Sequence, residues 1–152
     1  MADNFEYYRT IINTVALYGH DAPVTFSGRL TLRRYLHEVR KNTDVRKTRA
    51  SMADIIFFEC NKVIRTSKNE PTGEKRELVI SPFDALGFPY VVIHNRTAAP
   101  GSTDNHLSIL DSVDPDARGL AVILKEKADG SLVGLDQKEA ERIKQILSVL
   151  PR

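Results

Sequence analysis

Apolar positions along the chain change their period several times, and each change predicts an element. Over residues 3–18, Phe5, Tyr8, Ile11, Ile12, Val15 and Ala16 recur three or four apart, the spacing of one helix face. Asp3 with Glu6 forms a capping-box pattern at the start of this stretch, and Gly19 stands where a helix would end. A first helix over residues 3–18 is therefore expected, with Tyr7 and Tyr18 off its main stripe. Residues 20–26 read as a connector with a short strand over residues 24–26.

Residues 27–49 organise the rest. At about 100° per residue, Leu32, Tyr35, Leu36 and Val39 fall on one narrow stripe. Arg33, Arg34, His37, Arg40 and Lys41 fan across the opposite side, with Glu38 near its edge. The pattern predicts an amphipathic helix with a cationic outer face, capped by Ser27 or Thr31. Residues 42–52 are expected to continue it as a second short helix carrying Arg46, Lys47 and Arg49.

The pattern then becomes apolar on both faces. Ile55, Ile56, Phe57 and Phe58 are β-branched or aromatic, which predicts an interior strand over residues 55–65. Glu59 would be costly to bury there unpaired; an ion pair with a nearby Arg or Lys explains it better than a catalytic carboxylate. A polar loop with Pro71 and Gly73 leads to a second strand over residues 77–80, so the two strands would form a long-tipped hairpin. Ser81 and Pro82 are suited to open a short helical turn that Gly87 closes.

Residues 89–94 predict a third strand and residues 95–105 a small, polar loop with Pro100 and Gly101. Residues 106–110 are read as a short fourth strand, 111–118 as an acidic turn and 119–125 as a further strand. Asp129-Gly130 is a two-residue hairpin signal leading into residues 131–135. Asp136 with Glu139 makes a second capping box. The final helix would bury Ala140, Ile143, Ile146, Leu147 and Leu150 and stop at Pro151. Together these elements predict a single α+β domain over residues 1–152, with an antiparallel or mixed sheet of about four to six strands. N-terminal, basic and C-terminal helices would pack on it.

Composition changes this picture little. At 152 residues, with 41% hydrophobic and 28% charged content, the chain has enough apolar material for a core and does not resemble a disordered sequence. It lacks a run of about eighteen apolar residues, so no membrane span is expected. The opening MADNFEYYRT has no apolar secretory core. Cys60 stands alone, excluding an internal disulfide and a Cys-based zinc site. These features favour a reducing, cytoplasmic compartment.

Charge changes it more. The net charge is only +2, yet residues 29–49 hold eight Lys/Arg against Glu38 and Asp44. The other fourteen Lys/Arg face eighteen acids. One face suited to an anion and an acidic body are implied, against the plainer reading of a solvated helix face. Arg29, Arg33, Arg34, His37, Arg40, Lys41, Arg46, Lys47 and Arg49 are the candidate contacts to nucleic acid or an acidic protein surface. Tyr35 lies on the apolar stripe and Trp is absent, so backbone contact is favoured over base stacking.

A second candidate is chemical. His94 and His106 bracket the polar loop, with Asn95, Arg96, Thr97 and Ser108 nearby. Two imidazoles at strand ends could act as acid and base on a phosphodiester while Arg96 steadies the charge. His106-Leu107-Ser108 resembles one half of the paired His-x-Ser/Thr motifs of some phosphoesterases, but the second copy is missing. Strand-end histidines held by local hydrogen bonds are the simpler reading.

No metal is expected: Asp111, Asp114 and Asp116 lack the glycine and terminal Glu of a calcium loop, and no two histidines sit at i, i+4. The eight glycines are dispersed and form no phosphate loop, so no cofactor is expected either. Cys60 reads as a packed residue. The leading expectation is a non-enzymatic binding or assembly protein that meets an anionic partner through its basic helix. The competing readings are a small metal-independent nuclease or phosphoesterase using His94 and His106, and a structural subunit of a homo-oligomer.

Overall fold

The computed structural model describes residues 11–19, 21–29, 45–69, 77–96, 107–115 and 117–150. Its elements are β1 (Ile11–Tyr18), β2 (Val24–Arg29), α1 (Val45–Ser67), β3 (Leu78–Pro82) and β4 (Tyr90–Asn95), followed by a 3-10 turn (Ser108–Leu110), β5 (Leu120–Glu126), β6 (Leu132–Val133) and α2 (Gln137–Val149). The six strands form one sheet in the order β2-β1-β5-β4-β3, with β6 paired to β5, and every pairing is antiparallel. The expected α+β class and strand number hold, and the sheet is antiparallel rather than mixed.

The central strands explain the layering. β4 and β5 are apolar at successive positions, so both sheet faces must be covered. Val91, Ile93, Leu120, Val122 and Leu124 turn to one side, where α1 supplies Met52, Ile56, Phe57 and Cys60. Val92, Ala121 and Ile123 turn to the other, beneath Ala140, Ile143 and Leu147 of α2 and Leu107 and Leu110 of the 3-10 segment. The result is a sheet between two helical layers.

Three expected elements are corrected. Residues 11–18 form a strand, not the end of a helix. Ile12, Ala16 and Tyr18 join the core on the α1 side while Val15 and Leu17 join the opposite one. A strand buried on both faces shows apolar residues at three- and four-residue spacing by default, and the β-branched Ile11, Ile12, Thr14 and Val15 settle the choice. Residues 3–10 of the expected helix lie outside the described residues.

Residues 55–65 lie in the second half of a 23-residue helix and do not form a strand. Burial steps through Met52 and Ala53, Ile56 and Phe57, Cys60 and Asn61, then Arg65, one helical turn at a time. Phe58 (40% exposed) and Val63 (50%) lie on the outer side, and Glu59 is half-buried. Arg65 Nε donates to Asn61 Oδ1 one turn earlier, at 2.7 Å. The hairpin expected between residues 55–65 and 77–80 is therefore absent. β3 pairs with β4 instead, and residues 45–52 of the short helix expected over residues 42–52 belong to α1, while residues 42–44 lie outside the described residues.

Ser81 and Pro82 end β3, opposite Val92 and Val91, rather than opening a helical turn. Gly87 still closes the turn that follows: its N–H donates to Phe83 O at 2.9 Å, and its φ of +75° is one that glycine adopts without strain. Ser108 and its neighbours form a 3-10 turn in place of a fourth strand. Ser27 lies within β2 and does not cap a helix. The basic helix expected around Arg33 to Lys41 lies outside the described residues.

The C-terminal region follows expectation. Gly130 N donates to Lys127 O and Lys127 N to Ser131 O at the tip of the β5–β6 hairpin. Glu139 N donates to Asp136 Oδ1 at 2.7 Å and Asp136 N to Glu139 Oε1 at 3.4 Å, completing the capping box of α2. Of the helix stripe, Ala140, Ile143 and Leu147 are buried, whereas Ile146 is 38% exposed.

Candidate functional site

Strand parity places His94 on the face that Val92 and Tyr90 share, next to the segment following the 3-10 turn. It is only 2% exposed, and among the described residues neither ring nitrogen has a hydrogen-bond partner. Its Nδ1 lies 3.9 Å from Asp114 Oδ2, too long for a hydrogen bond. Burial lowers its pKa from the ordinary 6.5, Asp114 opposes that shift and Arg96 adds to it. The imidazole is thus held neutral.

Arg96, expected to steady a phosphodiester, is exposed and faces Glu77, with Nη1 3.7 Å from Oε1. Ser108 is half-buried at the start of the 3-10 turn. His106 lies outside the described residues. The acidic group that faces His94 is Asp114, for which no signal exists in the sequence: the approach depends on the acidic turn folding back over β4.

The neutral histidine has a consequence for stability. The unfolded chain takes up a proton below its ordinary pKa of 6.5, and the folded chain, with the lowered value, resists doing so. Stability is therefore fully present above that pH and falls as the pH drops below it, by at most about 1.4 kcal/mol per pH unit from this group. His94→Leu should flatten that part of the profile in urea unfolding measured from pH 7.5 to 5. An unchanged slope would show that His94 is protonated as easily folded as unfolded.

A second polar cluster joins α2 to the sheet. Tyr90 Oη donates to Glu139 Oε2 at 2.6 Å, Lys125 Nζ lies 2.8 Å from Glu139 Oε1, and Arg142 Nη2 donates to Tyr90 Oη at 3.0 Å. Burial pushes the Glu139 pKa up, but Lys125 and Tyr90 outweigh it and hold the carboxyl below its usual range. The Glu139 hydrogen bond raises the Lys125 pKa in turn, while burial raises that of Tyr90. A phenol held protonated beside a lysine held charged is poorly suited to proton transfer, and the cluster acts as a polar clamp. At the other end of β1, Arg65 and Lys68 lie 5.6 and 5.5 Å from the Tyr18 ring centroid, and Lys68 Nζ pairs with Asp21 Oδ2 at 2.6 Å.

Cys60 is buried against Thr14, with Sγ 3.8 Å from Oγ1, and desolvation pushes its pKa up to about 12. It is a packed, protonated thiol. Among the described residues no group of three or more His, Cys, Asp and Glu is arranged to hold a metal ion, and no helix is long and apolar enough to cross a membrane.

The basic segment is held at both ends. Arg29 is the last residue of β2, and Arg46, Lys47 and Arg49 lie in the first turns of α1. Arg49 Nη2 lies 3.3 Å from Glu126 Oε2 at the end of β5, with both side chains partly exposed. The first turn of α1 contains no acidic residue. Arg33, Arg34, His37, Arg40 and Lys41 lie outside the described residues. No protein-family model, no curated protein and no solved structure matches the chain.

Proposed function

We propose that this chain is a non-enzymatic binding domain that engages an anionic partner through its basic segment, residues 29–49. The observation that carries the reading is the start of α1. Backbone N–H groups left unpaired at a helix N-terminus make a positive pole, where acidic side chains stabilise and cations cost about 0.3–1 kcal/mol each. Here Arg46, Lys47 and Arg49 belong to the first turns of α1, whose first turn holds no acid, and among the described residues Arg49 pairs with Glu126. An incoming anion relieves this repulsion, so the arrangement favours a bound partner over a free, solvated face.

The rest of the fold leaves the same region for the role. The sheet is covered on both faces, and Glu139, Lys125 and Tyr90 are committed to one another. His94, at 2% exposure, would have to be uncovered before meeting a phosphodiester, which weighs against the nuclease reading. Nucleic-acid phosphates and protein carboxylates both match the charge of residues 29–49. So does the acidic remainder of a neighbouring copy.

The test is charge reversal. A variant carrying Arg33→Glu, Arg40→Glu and Lys41→Glu should lose binding to polyanions while melting at the temperature of the parent chain. Retained binding with an intact fold would end this reading.

A further inference from the structure

We propose that residues 107–115, with Ala117, form a cap over β4 that mild acid releases: a proton on His94 opens it while the rest of the sheet stays folded. The device is independent of residues 29–49.

The cap is built to move as a body. Leu107 N donates to Ala117 O, Leu110 N to Leu107 O, Val113 N and Asp114 N to Leu110 O, and Ala117 N to Asp114 O. The backbone hydrogen bonds that the cap makes among the described residues all close within it, whereas β3, β4 and β5 are tied to one another by a continuous ladder. Burial of Leu107, Leu110 and Ala117 in one cluster with Val92, Ala121 and Ile123 holds the cap to the sheet. Lifting it costs apolar contact and no ladder hydrogen bond, so it opens more readily than the whole fold.

His94 sits beneath this cap. On β4 it lies between Val79 of β3 and Ala121 of β5, both apolar. It is 2% exposed, and Asp114 of the cap brings Oδ2 to 3.9 Å from its Nδ1. Among the described residues, the charged groups that act on it are Asp114 from the cap and Arg96 from its own strand. The α2 helix turns only Ala140, Ile143 and Leu147 into this cluster.

Protonation changes the balance. Burial disfavours the imidazolium more than Asp114 favours it, and Arg96 adds to the burial effect. The Asp114 side chain is 24% exposed and must give up water to reach hydrogen-bond distance. Opening the cap gives the imidazolium water instead. The open form therefore binds the proton more tightly than the closed one, and acid favours opening. The cap stays closed above the ordinary imidazole value of 6.5 and opens increasingly below it, by up to about tenfold per pH unit for one proton. Opening uncovers the apolar patch of Val92, Ala121 and Ile123.

Two buried thiols read this directly. Ala117→Cys places a reporter in the cap, and Cys60, buried on the α1 side of the sheet, reports opening of the whole fold. Both are labelled with a pyridyl disulfide from pH 7.5 to 5, and each rate is scaled to that of the same thiol in the urea-unfolded chain. The reporter should open about tenfold or more beyond Cys60 throughout, and its opening should grow by up to about tenfold per pH unit below pH 6.5. Ala121→Cys, on the sheet beneath the cap, should follow the same course and guards against a local effect of the first substitution. His94→Leu in either background should leave the opening flat with pH. Asp114→Asn removes the charge that favours the imidazolium and should enlarge the rise between pH 7.5 and 5.

Equal protection of the reporter and Cys60 at every pH means that the cap opens only with the whole chain, and overturns the proposal. Reporter labelling that stays level or slows in acid overturns it as well, because Asp114 would then be closing onto the imidazolium and holding the cap down. A rise that persists unchanged in His94→Leu belongs to another group and also overturns it.

Discussion

Phe57→Ala is expected to lower the free energy of unfolding by about 3–5 kcal/mol. Phe57 is 1% exposed and is among the largest side chains fully enclosed in the core between α1 and the sheet. Truncation removes its transfer free energy and leaves a cavity that the rigid central strands cannot close. Against a total of about 5–15 kcal/mol for a domain, that is a large fraction. Phe58, its neighbour, is 40% exposed, and Phe58→Ala should cost about 1 kcal/mol or less. The pair separates a helix from a strand here, because a strand apolar on both faces would lose heavily at both positions. Urea unfolding of the two variants decides it, and equal losses would contradict the placement of residues 55–58 in α1.

The second large effect is expected at Glu139. Its carboxylate accepts from Tyr90 Oη and from the Asp136 N–H and pairs with Lys125. Glu139→Ala strips those partners at once and should cost about 1.5–3 kcal/mol, the range for hydrogen bonds to a charged group. The loss stays below that of a fully buried pair because the Lys125 side chain is 26% exposed and can turn to water. Lys125→Met should recover part of it in a double-mutant cycle, with a coupling energy of about 0.5–3 kcal/mol. Strict additivity would show that the two charges do not interact. The Glu139 carboxyl is held below its usual range, so its contribution is present at neutral pH and lost in the acid carboxylate range. That window lies below the one governed by His94, and the two effects are separable in one pH series.

The parts of the fold legible in the sequence are those with local grammar. Asp136 and Glu139 announced the start of α2, Asp129-Gly130 announced the last hairpin, and the apolar runs of β4 and β5 announced strands. The failures share one physical cause. When an element is buried over more than one stripe, its apolar period stops reporting its type. β1 is buried toward both helices and mimicked a helix, whereas α1 carries Ile55 as well as Ile56 and Phe57 into the core and mimicked a strand. Asn61 and Arg65, buried one turn apart on α1, were the sign that burial there follows a helical step.

The candidate site was legible as composition but not as geometry. Eight cations in residues 29–49 stand out in the sequence, yet that Arg29 ends a strand while Arg46, Lys47 and Arg49 belong to a long helix emerges only from the fold. The reverse holds for His94. Its sequence context suggested chemistry, and its burial beside Asp114 depends on contacts between distant segments.

The central claim is that residues 29–49 recognise an anion and are not a solvated face. Its most direct test is the salt dependence of polyanion binding, measured by fluorescence anisotropy with labelled polyglutamate and mixed-sequence DNA as the two probes. Neutralising about four phosphates should cost the wild-type chain about a hundredfold in DNA affinity between 50 and 200 mM salt, with a weaker trend for polyglutamate. The Arg33/Arg40/Lys41 reversal should show no measurable binding at the lower salt. Affinity that is flat with salt, or equal in the two proteins, would contradict the account.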